Sequence, residues 1–224
     1  VRNCEILGKL LPQNQNQLVH ITTTAMYFFS RKTALALVIT CSALFFSCNK
    51  TEKPLPQQTR SELPEIKQSP LFSGISQQAK TVESASMQGS VWLAYFFFTS
   101  CGGPCPAMNA RVEALQKEFS APNLKFVGIS VDPETDTPKA LAAYAARFHA
   151  DSTRWTMLQM PMDSVKSVAV QGFMLAQGKE DDPNLHSTRF VVVDKRGMIR
   201  GYFDGLDENE IPKLRKAISG LLAE

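Results

Sequence analysis

Two cysteines stand four residues apart in Cys101-Gly102-Gly103-Pro104-Cys105-Pro106, directly after the unbroken apolar run Val91 to Phe98. A run of that kind suits a central strand buried on both faces. Beyond the cysteines, Met108, Val112, Leu115 and Phe119 recur at spacings of four, three and four, the stripe of an amphipathic helix. Pro104 or Pro106 fits the first turn of that helix, where a missing N–H costs nothing. Strand, dithiol and helix in this order demand a sheet-and-helix scaffold with two sulfurs at the end of a buried strand.

The rest of the chain continues the alternation. Leu124 to Val131 predicts a second strand, halted by Asp132-Pro133, and Thr137-Pro138 opens a helix through Leu141, Tyr144, Ala145 and Phe148. Met162 to Val170 predicts a short helix after Pro161. Phe190 to Val193 and Met198 to Phe203 flank Asp194-Lys195-Arg196-Gly197, a hairpin with a glycine turn. Asp207 to Leu222 closes the chain as a helix with Ile211, Leu214, Ile218 and Leu221 on one stripe. Alternation alone gives an α/β protein. The cysteine position narrows it to a thioredoxin-like three-layer sandwich, a mixed central sheet with flanking helices, over residues 71–224.

The front of the chain is of another kind. Arg31 and Lys32 precede the uncharged apolar stretch Thr33 to Phe46, followed by Ser47-Cys48, the order of an export signal. The stretch is shorter than the ~20 residues of a membrane span. Leu44-Phe45-Phe46-Ser47-Cys48 looks like the lipobox of bacterial lipoproteins, with lipid attached at Cys48 and cleavage before it. Residues 26–47 are thus expected to be a lipoprotein signal peptide, and residues 1–25 a non-native extension from a mis-called start, with Met26 the true first residue. Residues 48–70, rich in Pro, Gln, Ser and Lys, read as a flexible linker. The expected location is the cell envelope outside the cytoplasm, anchored to a membrane by lipid.

Charge supports this division. The 24 basic and 21 acidic residues leave a small positive excess, and it resides before Cys48, where Arg2, Lys9, Arg31 and Lys32 face only Glu5. A neutral body without a basic stripe offers no footprint for nucleic acid.

Cysteine arithmetic follows from the processing. Of five cysteines, Cys4 falls in the extension and Cys41 in the signal, so the mature chain keeps Cys48, Cys101 and Cys105. With Cys48 lipidated, one pair remains. It closes almost no loop and makes a poor structural staple, so redox activity or metal binding explains it better. Cys105 falls in the first helical turn, where free N–H groups and the dipole favour thiolate. Cys101, one helical turn earlier, is within disulfide reach. The dithiol alone does not choose between a disulfide and a metal. Two features tilt the balance: the spacer has three residues instead of two, and His186 waits downstream just before a strand. Two thiolates and an imidazole form a soft three-coordinate set suited to Cu(I), with capacity for Cu(II) through the nitrogen. Zinc would ask for a fourth ligand.

Three segments, Tyr95-Phe96-Phe97-Phe98-Thr99-Ser100-Cys101 through Cys105-Pro106, Ile129-Ser130-Val131-Asp132-Pro133-Glu134-Thr135-Asp136-Thr137-Pro138, and His186-Ser187, occur in an order that resembles the Sco (SenC) family. The resemblance covers roughly Leu71 to Leu222. It implies a membrane-tethered, thioredoxin-fold copper chaperone for cytochrome c oxidase, with Cys101, Cys105 and His186 as copper ligands for Cu(I), Cu(II) or both. It further implies the oxidase's copper-bearing subunit as partner, with other copper carriers or thiol reductases as additional contacts. Asp132 and Asp136 belong to the same motif and are expected near the site, with no ligand role assigned to them. The family usually places proline after the first cysteine; here Gly102-Gly103 adds backbone freedom.

Two functions of different class remain open. One is a metallochaperone that is not a turnover enzyme. The other is a thiol-disulfide oxidoreductase, with Cys101 and Cys105 as the redox-active pair, that reduces the cysteines of the oxidase copper site or of a copper carrier. His186 discriminates between them, because thiol exchange does not require it. A peroxiredoxin reading is disfavoured: threonine and proline would be needed where Phe98 and Ala94 stand.

Overall fold

The computed structural model describes residues 62–175 and 187–224. The expected extension, signal peptide, lipidated Cys48, most of the linker and His186 lie outside the described residues.

Eight strands form one mixed sheet: β1 (Lys67–Gln68), β2 (Ser73–Ser76), β3 (Thr81–Glu83), β4 (Val91–Phe97), β5 (Leu124–Ser130), β6 (Trp155–Gln159), β7 (Arg189–Val193) and β8 (Met198–Asp204). Their order across the sheet is β1-β8-β7-β4-β5-β6-β2-β3. The β4–β5 and β5–β6 pairs are parallel and the others antiparallel. The helices are α1 (Pro104–Glu118), α2 (Pro138–Arg147), α3 (Met162–Lys166), which runs on as a π-helical turn at Ser167–Gly172, and α4 (Ile211–Ala223).

The apolar run of β4 accounts for its central place. Its seven residues are all buried, and because successive side chains point to opposite faces they split between two cores. Val91, Leu93, Tyr95 and Phe97 join Met108, Val112 and Leu115 of α1, Leu141 and Tyr144 of α2, and Leu214 and Ile218 of α4. Trp92, Ala94 and Phe96 pack on the other face with Phe72, Val165, Val168 and Phe173. Full burial of each large side chain contributes about 1.5–3 kcal/mol, so β4 ties both layers together. Gly128, opposite Tyr95 in β5, leaves room for the aromatic rings: a Cβ there would meet the Tyr95 hydroxyl and the Phe97 ring at 2.8 Å.

The helices begin where local chemistry permits. Pro104 opens α1 and Pro138 opens α2, and the Thr137 side chain accepts from the Ala140 N–H to cap the latter. The closing helix starts at Ile211 instead of Asp207, because the Asp207 carboxylate accepts from the Asn209 N–H at 2.8 Å and closes a turn first. The hairpin turn places Gly197 at φ +79°, in the left-handed region.

The folded body also starts earlier than Leu71. Leu63 packs against the core, and β1 pairs with β8 through Lys67 and Ile199. Arg200, with 1% of its surface exposed, donates to the Leu63 carbonyl at 2.8 Å and the Pro64 carbonyl at 3.1 Å while pairing with Asp194 at 2.9 Å. A buried guanidinium supplies the partners that polar composition alone does not reveal, so the C-terminal part of the expected linker is integral to the domain.

Candidate metal centre

β4 ends at Phe97 and α1 begins at Pro104, so Cys101 occupies the connecting loop and Cys105 is the second residue of the helix. Both are buried free thiols, 9% and 5% exposed. The Gly103 N–H points at the Cys101 sulfur across 3.4 Å. The dithiol therefore forms a pair at the C-terminal end of the central strand, as the sequence order demands.

Which sulfur ionises first is the reverse of the helix-dipole expectation. Burial, and after it the hydrogen bond with Cys101, together push the Cys105 thiol up to about 12, outweighing the free N–H groups of the helix start. Burial also works against the Cys101 thiolate, yet the Cys105 thiol and the backbone N–H groups of Cys105 and Gly103 donate to it and hold it below the usual thiol value. Cys101 is the thiolate of the pair and Cys105 its proton-bearing partner.

Beside Cys105 lies a cavity of about 10 Å³, bordered by Phe96, Phe97, Phe98, Met108 and Ser187. It is the size of a single atom, with walls that are almost entirely apolar. Ser187 is the residue after His186. Among the described residues no three His, Cys, Asp or Glu side chains converge, so the described part of the centre is the dithiol itself. Its donor set fits copper: two adjacent soft sulfurs, one favoured as thiolate, in a site largely closed to water.

The two motif aspartates separate. Asp136 is fully buried, and its carboxylate accepts from the Thr99 N–H at 3.1 Å and from the hydroxyls of Thr99 and Ser130. It thus binds the dithiol loop to the end of β5. Asp132 instead closes a turn, its carbonyl accepting from the Asp136 N–H at 2.9 Å, and its side chain borders a different cavity of about 650 Å³ with Pro133, Glu134 and Met160.

A buried polar network that sequence reasoning missed underlies Cys105. Asn109, fully buried, donates to the Cys105 carbonyl at 2.8 Å and lies 3.4 Å from the Tyr144 hydroxyl. It accepts from the Tyr95 hydroxyl at 2.7 Å, and that hydroxyl receives the Trp155 indole N–H at 3.0 Å. Asn109 sits one turn after Cys105, on the buried face of α1 next to Met108; an amide at that spacing was the available signal. The methionines Met108, Met157 and Met160 are core residues, and His149 lies at the surface against Glu113.

A redox-type dithiol at the end of the central strand of a mixed α/β sandwich defines a thioredoxin-like dithiol protein. The chain belongs to the SCO1/SenC family, whose model matches residues 60–222. It is 31% identical over 141 residues to the SCO1 protein homolog of Bacillus subtilis (strain 168), covering 61% of this chain and 73% of that protein. Its fold is similar to that of BsSco, described as a Sco-family cytochrome c oxidase assembly protein with a disulfide switch, at a TM-score of 0.61 and 26% identity over 72% of this chain and 96% of that one. It shares the fold of Arabidopsis thaliana ScoI, solved with copper bound, at a TM-score of 0.56 and 22% identity over 70% of this chain and 100% of that one.

Proposed function

We propose that this chain is a copper metallochaperone that holds the ion at Cys101, Cys105 and His186 and passes it to the copper-bearing subunit of cytochrome c oxidase. The observation that carries the reading is the dithiol: two buried sulfurs in contact, Cys101 favoured as thiolate, beside an atom-sized apolar cavity. Soft sulfur donors in a dry site favour Cu(I). His186 as the third ligand rests on the resemblance of His186-Ser187 to the family's motif. BsSco's role in oxidase assembly and the copper held by the Arabidopsis protein support the cargo and the partner.

In this reading copper is cargo, and the chain's own groups do the rest. Cys101 offers the first thiolate; Cys105 gives up its proton as the ion binds, because a bound cation offsets the burial that keeps it protonated. Lipid at Cys48 would hold the domain to the outer face of a membrane, with residues 49–61 as a short tether.

The same asymmetry of the two sulfurs favours a second reading, thiol-disulfide exchange, in which the Cys101 thiolate attacks and Cys105, after passing its proton to the departing thiolate, resolves the mixed disulfide. His186→Ala separates the two. As a chaperone, the variant loses Cu(II) binding most, retains a normally cycling Cys101–Cys105 disulfide, and fails to mature the oxidase. Wild-type oxidase maturation by this variant would reject the ligand role and leave the reductase.

A further inference from the structure

Cys101 is buried, but the two glycines that join it to the helix start have little packing of their own. A Cβ built at Gly102 would meet nothing within 4 Å, and one at Gly103 only the Cys101 sulfur at 4.0 Å. Two adjacent glycines leave the backbone free, so the placement of Cys101 relative to Cys105 must be set from outside the loop.

Asp136 is placed to set it. Its carboxylate receives the Thr99 N–H at 3.1 and 3.3 Å and the Thr99 hydroxyl, two residues before Cys101. The other carboxylate oxygen also takes the Ser130 hydroxyl, from the last residue of β5. The Asp136 N–H is tied in turn to the Asp132 carbonyl at 2.9 Å, and the Cys101 N–H lies 3.3 Å from the Phe98 carbonyl. The Asp136 side chain is fully buried and, among the described residues, no cation pairs with it. A buried carboxylate without a cation is costly and needs its hydrogen bonds satisfied. Here every such bond is spent on joining the dithiol loop to β5.

We propose that Asp136 is the positioning residue of the dithiol, a carboxylate clamp that fixes Thr99 to Ser130 and thereby sets the Cys101–Cys105 geometry for both copper binding and disulfide formation. It acts through Thr99 and touches neither sulfur nor cargo. The inference rests on the copper reading for its metal arm; its disulfide arm stands without it.

Asp136→Asn and Asp136→Ala distinguish position from charge. The amide keeps an oxygen for the Thr99 donors, and the Ser130 hydroxyl can rotate to accept from the new N–H₂. Alanine keeps nothing. In the full chain, Cu(I) competed from a bicinchoninate complex should bind Asp136→Ala at least ~10-fold more weakly than wild type, and Asp136→Asn within about threefold of it. The equilibrium with dithiothreitol, in which the two chain thiols are oxidised as the cyclic disulfide of dithiothreitol is reduced, should shift against the protein disulfide by a similar factor in Asp136→Ala and be rescued in Asp136→Asn. Should Asp136→Ala fail to fold, Thr99→Val removes only the hydroxyl bond and is expected to weaken Cu(I) binding about threefold. The proposal is overturned if folded Asp136→Ala matches wild type in both measurements, if Asp136→Asn is as impaired as Asp136→Ala, or if Thr99→Val is unchanged where alanine does not fold. A wild-type chain that takes up no Cu(I) would reject the copper reading instead, while the dithiothreitol equilibrium still decides the clamp.

Discussion

The side-chain amide of Asn109 donates to the Cys105 carbonyl at 2.8 Å, one turn back along α1, from a position with no solvent exposure. The same side chain serves the hydroxyls of two buried tyrosines, Tyr95 and Tyr144. Low local dielectric strengthens such a network and makes a missing member expensive. Asn109→Leu should therefore lower stability by about 2–4 kcal/mol, as Tyr95 loses its acceptor and Tyr144 its donor. Urea unfolding of the reduced chain measures this, and a loss below 0.5 kcal/mol would show the network to be incidental.

The ordering of the two thiols predicts selective chemistry. Iodoacetamide should modify Cys101 with a midpoint pH below that of an ordinary thiol, whereas Cys105 should react only in strongly alkaline solution. Folding keeps a proton on Cys105 that the unfolded chain releases near pH 9.0, so this group's contribution to stability is intact below that value and is lost as pH rises towards about 12. Mass mapping of the alkylated peptides across pH reads the first effect directly. Equal rates at both cysteines would contradict the ordering.

Arg200 anchors the start of the domain, and its loss should be felt there. Arg200→Ala removes the buried partner of Asp194, leaving it only the exposed Arg196 as a cation, and strands the carbonyls of Leu63 and Pro64. A cost of about 3–5 kcal/mol is expected for breaking a buried pair of this kind. Limited proteolysis should then cut within residues 62–69 well before global unfolding. Protection equal to wild type would show that β1 alone holds this segment.

Parts of this molecule were legible because one local rule decided them. The aromatic and apolar run of β4, the prolines opening α1 and α2, and the glycine turn before Met198 each fix an element without outside help. The strand at Trp155–Gln159 was not predicted. Five residues with buried and half-buried positions mixed carry no clear period, and pairing with β5 on one side and β2 on the other makes them a strand. The short β1, β2 and β3 likewise exist through their partners. At the site, the dithiol was readable from spacing, but its ionisation order was not, since burial outweighed the helix start. Asp136 was visible as a motif residue; its bond to Thr99, 37 positions away, was not.

Processing at the front of the chain gives a separate test. If Met26 to Cys48 is a lipoprotein signal, protein extracted from membranes should begin at Cys48 carrying a diacylglyceryl group. Mass spectrometry of the N-terminal peptide decides it. Recovery of peptides from residues 1–25 would sink both the cleavage and the start-site assignment.

Copper stoichiometry of the reduced chain under anaerobic conditions tests the central claim most directly. One Cu(I) per chain is expected for wild type, and Cys101→Ser or Cys105→Ser should abolish tight binding, because a single thiolate with one imidazole holds the ion poorly against competing thiols. A double serine variant that still bound one copper with wild-type affinity would place the site elsewhere and contradict the account.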